Sequence, residues 1–462
     1  MNTENIVPTK EELRAILQNN NLQELKDFCE SSHPAVIAES ISKLELKEAL
    51  SFLEKANAID RSMIFSHLDS DLQIEMIERM PRTSVTRLFV DMPPDDRADL
   101  FKQLPETLSE ILLPALAQAE REDIRRLISY EEGTAGAKMT SDYATLLPEL
   151  TASLAIERLR EIAPNKETIY YAYVLNNQRM LIGFVSLKDL ILAQRNSLVS
   201  DIMHSDVIFA RVTDDQEEAA RKIQKYDLLA LPILNNEDSL VGIITHDDAI
   251  DIITQEHTED IEKLMAITGS HENAAYIKTP ALVHLKNRAP WVMILAILGL
   301  VSGFIVQSFD GLLLQITILA AFMPMLADTG GNTGSQASSL IVRALALKEV
   351  FPKDIFRILF KELKISFFLA LLLSTITFTR VVFFSGNSRL PPNSSLTLIA
   401  LAISLALGVH VITATLIGAL LPLGAAKMKL DPAIVASPAL TTIVDITGLL
   451  IYFTTVKLIL GL

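Results

Sequence analysis

Residues 323–338 read MPMLADTGGNTGSQAS and lie inside an apolar run that extends over roughly 312–342. A helix needs about 20 predominantly apolar residues to cross a bilayer. This run is longer than one straight crossing, and it holds Pro324 and the sequence Gly330-Gly331-Asn332-Thr333-Gly334. The expectation is a membrane helix that is kinked or partly unwound. Non-helical backbone at membrane depth is tolerated only where it lines a cavity or is buried in protein. Four more apolar stretches surround it, at roughly 290–309, 364–384, 396–422 and 432–459. The C-terminal part therefore reads as an all-α transmembrane domain of five helices.

Two carboxylates fall inside these stretches, Asp328 in the second and Asp445 in the fifth. A charge at the bilayer centre costs about 2.5–3.5 kcal/mol on insertion scales, so it faces a cavity, an ion path or a partner. Asp445 is flanked by Thr441, Thr442, Thr447 and Gly448 and reads as an ion-path residue, whereas Asp328 can simply cap the Gly330 or Gly331 amides. Carboxylates, backbone carbonyls and the amide oxygens of Asn332 and Gln336 are hard ligands, suited to Mg²⁺ or Ca²⁺. The sequence has no His/Cys cluster for zinc or copper, and His410 in the fourth stretch reads as a packed or hydrogen-bonded helix residue.

Charge divides the chain. Of 41 basic and 56 acidic residues, 11 and 7 follow Arg288, which leaves 30 basic and 49 acidic residues before it. A soluble part near −19 repels nucleic acid and anionic lipid and suits a cationic partner. Lys286, Arg288, Arg343, Lys348, Lys353, Arg357, Lys361, Lys364, Lys427 and Lys429 fall on one side of the five stretches, against Arg380, Arg389 and Lys457 towards the other. The positive side is cytosolic, so the N-terminal part is expected in the cytosol and the C-terminus outside a cell (inner or plasma) membrane. The first 18 residues, MNTENIVPTKEELRAILQ, have no apolar core and do not read as a signal peptide. The single cysteine, Cys29, excludes an intrachain disulfide.

Residues 10 to about 130 carry short amphipathic patterns, with prolines at 81, 93 and 105 opening MPRTSVTRLFVD, MPPDDRADLFKQ and LPETLSEILL. A twelve-residue period of this kind predicts a helical superhelix over 1–132. Next comes an internal repeat: VLNNQRMLIGFVSLKDLILA (174–193) aligns with ILNNEDSLVGIITHDDAIDI (233–252), offset by 59 residues. Each copy reads strand, Asn-Asn hairpin, strand, and a helix opened by Ser186-x-x-Asp189 or Thr245-x-x-Asp248. That pattern is helix-capping chemistry and also what a ribose-and-phosphate site would use. The two copies resemble a tandem pair of CBS domains, α/β units expected at 133–200 and 201–255, with Met139-Thr140 and Leu231-Pro232-Ile233 in the expected places. CBS pairs often take adenosine nucleotides, so Ser186, Asp189, Thr245 and Asp248 are candidate ATP-binding residues. The segment 256–287 then reads as a connecting helix, leading to the membrane domain at 288–462.

That order of parts, with TIYYAYV (168–174), YDLLALPIL (226–234), QEHTEDIEKL (255–264), ADTGGNTGSQ (327–336) and ASPALTTIVDITGLLIYF (436–453), resembles the MgtE family of magnesium channels. The resemblance implies a homodimer in lipid with one central pore lined by the second and fifth spans, Mg²⁺ as the transported ion, and no enzymatic activity. It implies that Asp445 holds hydrated Mg²⁺, that Gly331 and Asn332 line the pore, and that Ala439 lies near the carbonyls of the fifth span. It also implies a regulatory Mg²⁺ sensor, carried over onto Asp95 and Asp99 in the helical domain, Glu217, Asp227 and Asp248 in the CBS pair, and Glu256, Glu259 and Asp260 on the connecting helix. Ala137 stands where the family commonly has glycine, and Lys188 where arginine is common. An ion-coupled secondary transporter of divalent cations (Mg²⁺, Mn²⁺ or Co²⁺) is the alternative. An intramembrane aspartyl protease lacks its GxGD motif here, and His271-Glu272-Asn273-Ala274-Ala275 is not the HExxH of a zinc protease.

Overall fold

Proline sets the geometry of the N-terminal helices. The computed structural model describes residues 10–18, 22–267, 276, 279–385, 395–433 and 438–461. Arg389 and residues 268–275 lie outside the described residues. Among those described, ten helices run from α1 (Lys10–Gln18) to α10 (Gln118–Ile128). Pro81, Pro93 and Pro105 take the N-cap positions of α7 (Arg82–Asp91), α8 (Pro94–Gln103) and α9 (Glu106–Ala115). A proline fixes φ and offers no N–H, so it ends one helix and aims the next. Helices two apart then pack together: α5 (Ala58–Ser66) on α7, α6 (Ser70–Arg79) on α8, and α7 on α9. Their apolar stripes share one core containing Phe52, Phe65, Met76, Leu88 and Phe89, all fully buried. Burying such a side chain is worth about 1.5–3 kcal/mol.

Two three-stranded sheets follow, each a parallel pair continued by an antiparallel hairpin. One holds β1 (Tyr143–Leu146), β2 (Thr168–Leu175) and β3 (Leu181–Ser186); the other holds β4 (Ala210–Arg211), β5 (Ala230–Leu234) and β6 (Leu240–Thr245). The repeated Asn-Asn builds each hairpin. Asn176 Oδ1 accepts from the Gln178 and Met180 amides, and Asn235 Oδ1 from those of Glu237 and Ser239. The helices are α11 (Ala152–Ile162), α12 (Leu187–Leu192), α13 (Val199–Ile202), α14 (Gln216–Tyr226) and α15 (His246–Leu264). The copies exchange their leading segments. Thr140 bridges Ile243 in the second sheet, and His204 bridges Phe184 in the first. The repeated glycines make room for the crossing: a Cβ on Gly242 would stand 2.7 Å from Met139 Cγ, and one on Gly183 2.8 Å from the His204 carbonyl.

The chain divides into two compact units, Met1–Glu256 and His257–Leu462, and α15 runs unbroken across that boundary. The second unit holds α16 (Ala281–Ser308), α17 (Asp310–Gln315), α18 (Ile318–Ala346), α19 (Ile355–Phe384), α20 (Leu396–Lys427) and α21 (Pro438–Leu460). Among the described residues four helices are long and apolar enough to cross a membrane: Ala281–Ser308, Pro352–Phe384, Leu396–Lys427 and Ala439–Leu460. The second apolar stretch is not unwound, because α18 is helical without interruption through Pro324 and Gly330–Gly334. Its glycines serve close packing instead. Gly334 and Gly418 face each other across α18 and α20, and a Cβ on Gly418 would stand 2.9 Å from the Gly334 carbonyl carbon. Overpacking of this sort costs about 1–3 kcal/mol. Gly418→Ala is therefore expected to lower the thermal midpoint of the detergent-solubilised protein, measured by intrinsic fluorescence, whereas Gly424→Ala, where a Cβ meets nothing within 4 Å, leaves it in place.

Candidate functional site

The membrane unit carries a polar stripe on one face of α18. Asp328, Asn332 and Gln336 recur every fourth residue and are exposed, while Gly330, Gly331, Gly334, Ala337 and Ser338 are buried. On α21 the buried face is Leu440, Val444 and Gly448, which leaves Thr441, Thr442 and Asp445 half-buried. A Cβ on Gly330 would meet Val444, one on Gly331 would stand 3.5 Å from Thr441 Cγ2, and one on Gly334 would meet Leu440. The two helices are thus antiparallel, and that register sets Asp328 and Asn332 at about the depth of Thr441 and Asp445. Asp328 does not cap glycine amides; its Oδ1 accepts from Asn332 Nδ2 at 3.1 Å. Asp445 Oδ1 is buried and has no hydrogen-bond partner. Leaving a buried acceptor unmatched costs about 1–3 kcal/mol, and more if it is charged. Such an oxygen is matched by water or a cation.

In the soluble unit, α8 meets the start of α15 through carboxylates. Asp95 Oδ1 is buried without a hydrogen-bond partner. Burial, reinforced by the charges of Asp248, Asp96 and Glu167, holds the Asp95 carboxyl well above its ordinary range. Burial and neighbouring acids, Asp247 and Asp96 among them, likewise push Asp248 up to about 6. Crowding by the protein, with the charges of Asp248, Asp247 and Asp96, raises the partly solvated Glu167 to about 7. Asp96 is raised too, chiefly by burial. Asp95 and Asp248 thus lie close enough to act on each other, and Asp96, Glu167 and Asp247 join them. The sequence signal for the last three was the doubling of the acid in MPPDD and HDD, and an acid directly before β2. Among the described residues no three His, Cys, Asp or Glu side chains converge closely enough to hold a bare metal ion. Mg²⁺ keeps several of its waters when bound, so a hydrated ion can bridge carboxylates that do not touch.

The other expected sensor acids are engaged elsewhere. Asp99 lies 3.5 Å from Lys138 Nζ and 3.6 Å from Lys102 Nζ. Glu217 pairs with Arg221, and Glu256 accepts from Gln216 Nε2. Asp227 is the left-handed C-cap of α14 at φ 51°. On the last turns of α15, Glu259 binds Lys263 Nζ at 2.8 Å, and the same Nζ lies 3.2 Å from Asp431 Oδ2, just beyond α20. Partial burial would lower the lysine, but the two carboxylates prevail and hold it above its ordinary value. Sequence reasoning missed this tie between α15 and the segment leading into α21, since no local pattern couples positions 263 and 431. At the two CBS helix starts the polar groups cap. Ser186 and Asp189 form a reciprocal capping box, and Asp248 accepts from the Thr245 hydroxyl and amide. His204 Nε2 also lies 3.1 Å from Asp189.

Comparison with known proteins bears on this arrangement. Residues 323–455 match the family described as MgtE, divalent cation transporter; residues 32–133 match the MgtE intracellular N domain; 135–196 and 199–255 each match a CBS domain. The magnesium transporter MgtE of Bacillus subtilis (strain 168) is 32% identical over 438 residues, 95% of this chain and 94% of that protein. The chain belongs to the MgtE family. A second MgtE magnesium transporter, from Thermus thermophilus, is 33% identical over 97% of this chain and 98% of its own length. Among solved structures, the soluble part of a magnesium transporter superposes with a TM-score of 0.52 at 30% identity, covering 54% of this chain and 97% of that one. The cytosolic domain of the Mg²⁺ channel MgtE in complex with ATP gives 0.50 at 31% identity, over 53% of this chain and 99% of that one.

In this MgtE-family chain the raised acids set a pH dependence. Their folded values lie above the ordinary 4.5 for Glu167 and 3.8 for Asp248, so between those values and about 7 and 6 the folded state binds more protons than the unfolded chain. Stability contributed by these groups is present at low pH and is lost as pH rises through that window. A cation bound among these carboxylates would compete with the protons. If the cluster binds Mg²⁺, the ion raises the thermal midpoint of the N-terminal unit strongly at about pH 8 and hardly at about pH 5. An equal Mg²⁺ effect at both pH values would show that this cluster binds no cation.

Proposed function

We propose that this protein conducts Mg²⁺ into the cell through a homodimeric channel, with α18 and α21 lining the pore and Asp445 as the residue that holds the hydrated ion. The observation that carries the reading is the unmatched buried Asp445 oxygen at the level of the Asp328–Asn332 pair. In a dimer two such carboxylates supply −2 against one divalent cation. Gly331 and Asn332 contribute backbone and amide oxygen from α18, and Ala439 begins the facing segment of α21. Membership of the family supports Mg²⁺ as the cargo. Two features support pairing of chains: the polar stripe of α18 is exposed in one protomer, and α16 has no buried residue at all. At 29 residues α18 spans about 43 Å, long enough for a fifth crossing once its polar face lines water.

In this reading the domains are the superhelix 1–132, the CBS domains 133–200 and 201–255, the connecting helix 256–287 and the membrane domain 288–462. The soluble part lies in the cytosol of a cell inner membrane and the C-terminus outside. Lys263–Asp431 supports that orientation, because it ties the end of α15 to the end of the bundle that carries Lys427 and Lys429. Cytosolic Mg²⁺ binds Asp95, Asp248 and the acids beside them, together with Asp99, Glu217, Asp227, Glu256, Glu259 and Asp260, and closes the pore. The capping groups Ser186, Asp189, Thr245 and Asp248 lie where ATP would add to this control.

Reconstituted full-length protein tests the pore. Asp445→Asn should lose Mg²⁺ flux by two orders of magnitude or about that, with the dimer intact by light scattering; near-normal flux removes Asp445 from the pore. Collapse of the proton gradient at fixed voltage should leave wild-type flux unchanged, and a collapse of flux would favour the ion-coupled transporter. For the sensor, Asp95→Asn with Asp248→Asn should raise the internal Mg²⁺ needed to halve the flux by about tenfold. An unshifted closing concentration would leave those acids as solubilising charge only.

A further inference from the structure

We propose that His410 is a positioning residue of the pore: its imidazole is the spacer that sets the gap between α18 and α21 beside Asp445, and through that gap the preference among divalent ions. This rests on the reading of α18 and α21 as pore helices. His410 lies on α20, behind them, and is completely buried. Its ring is wedged between two glycines, one on each pore helix. A Cβ on Gly330 would stand 2.5 Å from His410 Cε1, and one on Gly448 2.7 Å from Nδ1. Neither glycine has a side chain to hold the helices apart, so the ring does it. Gly330 lies midway between Asp328 and Asn332, and Gly448 three residues after Asp445; at 1.5 Å of rise per residue the wedge is within about 3–5 Å of all three along the helix axes.

The residue type fits a spacer better than it fits plain packing. The ring approaches the Leu326 carbonyl without hydrogen-bond alignment, and neither ring nitrogen is satisfied. Two unmatched polar atoms in a bundle core cost stability, which an aliphatic side chain would avoid. A flat ring supplies something an aliphatic one lacks: a thin, rigid body that enters between two helix backbones stripped of Cβ. The helix that carries it is fixed. Gly418 of α20 lies against Gly334 of α18, and Ser374 of α19 donates to the Ser404 carbonyl of α20 at 2.7 Å. A wedge on an anchored helix transmits its width to the neighbours, since packed interiors do not absorb strain locally.

The test measures Mg²⁺, Ca²⁺ and Co²⁺ flux through full-length protein in liposomes, normalised to folded dimer, with the thermal midpoint recorded alongside. His410→Ala should change the Mg²⁺:Ca²⁺ flux ratio by about tenfold, and Gly330→Ala and Gly448→Ala, which keep the ring and fill its berth, should each cut Mg²⁺ flux by about tenfold. Gly330→Ala combined with His410→Ala should regain flux while keeping the altered ratio. A lowered midpoint with an unmoved ratio in His410→Ala would make the histidine structural only and overturn the proposal. So would wild-type flux and ratio in both glycine variants, which remain informative if His410→Ala fails to fold. Asp445→Asn separates the two readings: normal flux there removes the pore, whereas a dead Asp445→Asn beside an unaltered His410→Ala removes the spacer alone.

Discussion

A carboxylate oxygen cannot stay unmatched in an apolar bundle, and the membrane unit is arranged around that constraint. Asp445 has one buried oxygen without a partner, and no basic side chain pairs with it among the described ion pairs. A single charge at membrane depth must then be met by water or a cation. The glycines of α18 give the means. By letting α20 and α21 approach its backbone, they turn the polar residues Asp328, Asn332 and Gln336 to the opposite face. Within one chain that face is bare, and so is α16. In the proposed homodimer a second protomer across the stripe would cover it, and two Asp445 carboxylates would face the same ion.

The soluble unit meets the same electrostatics with the opposite solution. There the acids are many, and they crowd one another rather than standing alone. Burial and neighbouring charge, that of Asp247 included, raise the proton affinity of Asp95, Asp96, Glu167 and Asp248, which means that their fully ionised state is held at a cost. A cation that enters recovers that cost. Beside them Arg97, itself buried, pairs with Asp123, and Asp123 also accepts from Arg126 and Ser141. That knot joins α8 and α10 to the start of the first CBS domain. The repulsion therefore acts against a structure that can carry it, and α15 leads from the cluster to Lys263 and its pair with Asp431.

Much of this was legible because local rules dominate it. Prolines at a twelve-residue spacing are helix starts whatever surrounds them, and a repeat with Asn-Asn hairpins gives two sheets of one topology. Asp445 stood out since nothing nearby in sequence could neutralise it. The reading failed where tertiary packing overrules local preference. Gly330–Gly334 would loosen an isolated helix, yet in the bundle the lost propensity is offset by contact with His410, Ala414 and Leu440, so α18 stays whole. No local pattern announced that Lys138 sits beside Asp99. Glu167, Lys263–Asp431 and the place of His410 between two glycines are products of the fold, with no periodic signal to announce them.

The number of acids follows from the arithmetic of switching. Moving a channel from mostly open to mostly closed, from about 99:1 to about 1:99, takes about 5.5 kcal/mol of differential binding. A weak site with free ion at about five times its dissociation constant supplies only about 1 kcal/mol. One such site cannot close a pore, and about five can, which is two or three in each chain of a dimer. The chain offers three separate groups of acids: the cluster of α8, Glu167 and the start of α15; Glu217 and Asp227 on α14; and Glu256, Glu259 and Asp260 along α15. A single tight site would also provide the energy, but it would saturate far below the concentration it had to sense. In the proposed sensor, weak acids spread over three surfaces would keep the response where the ion is abundant and make it steep, because all of them would bias one closure.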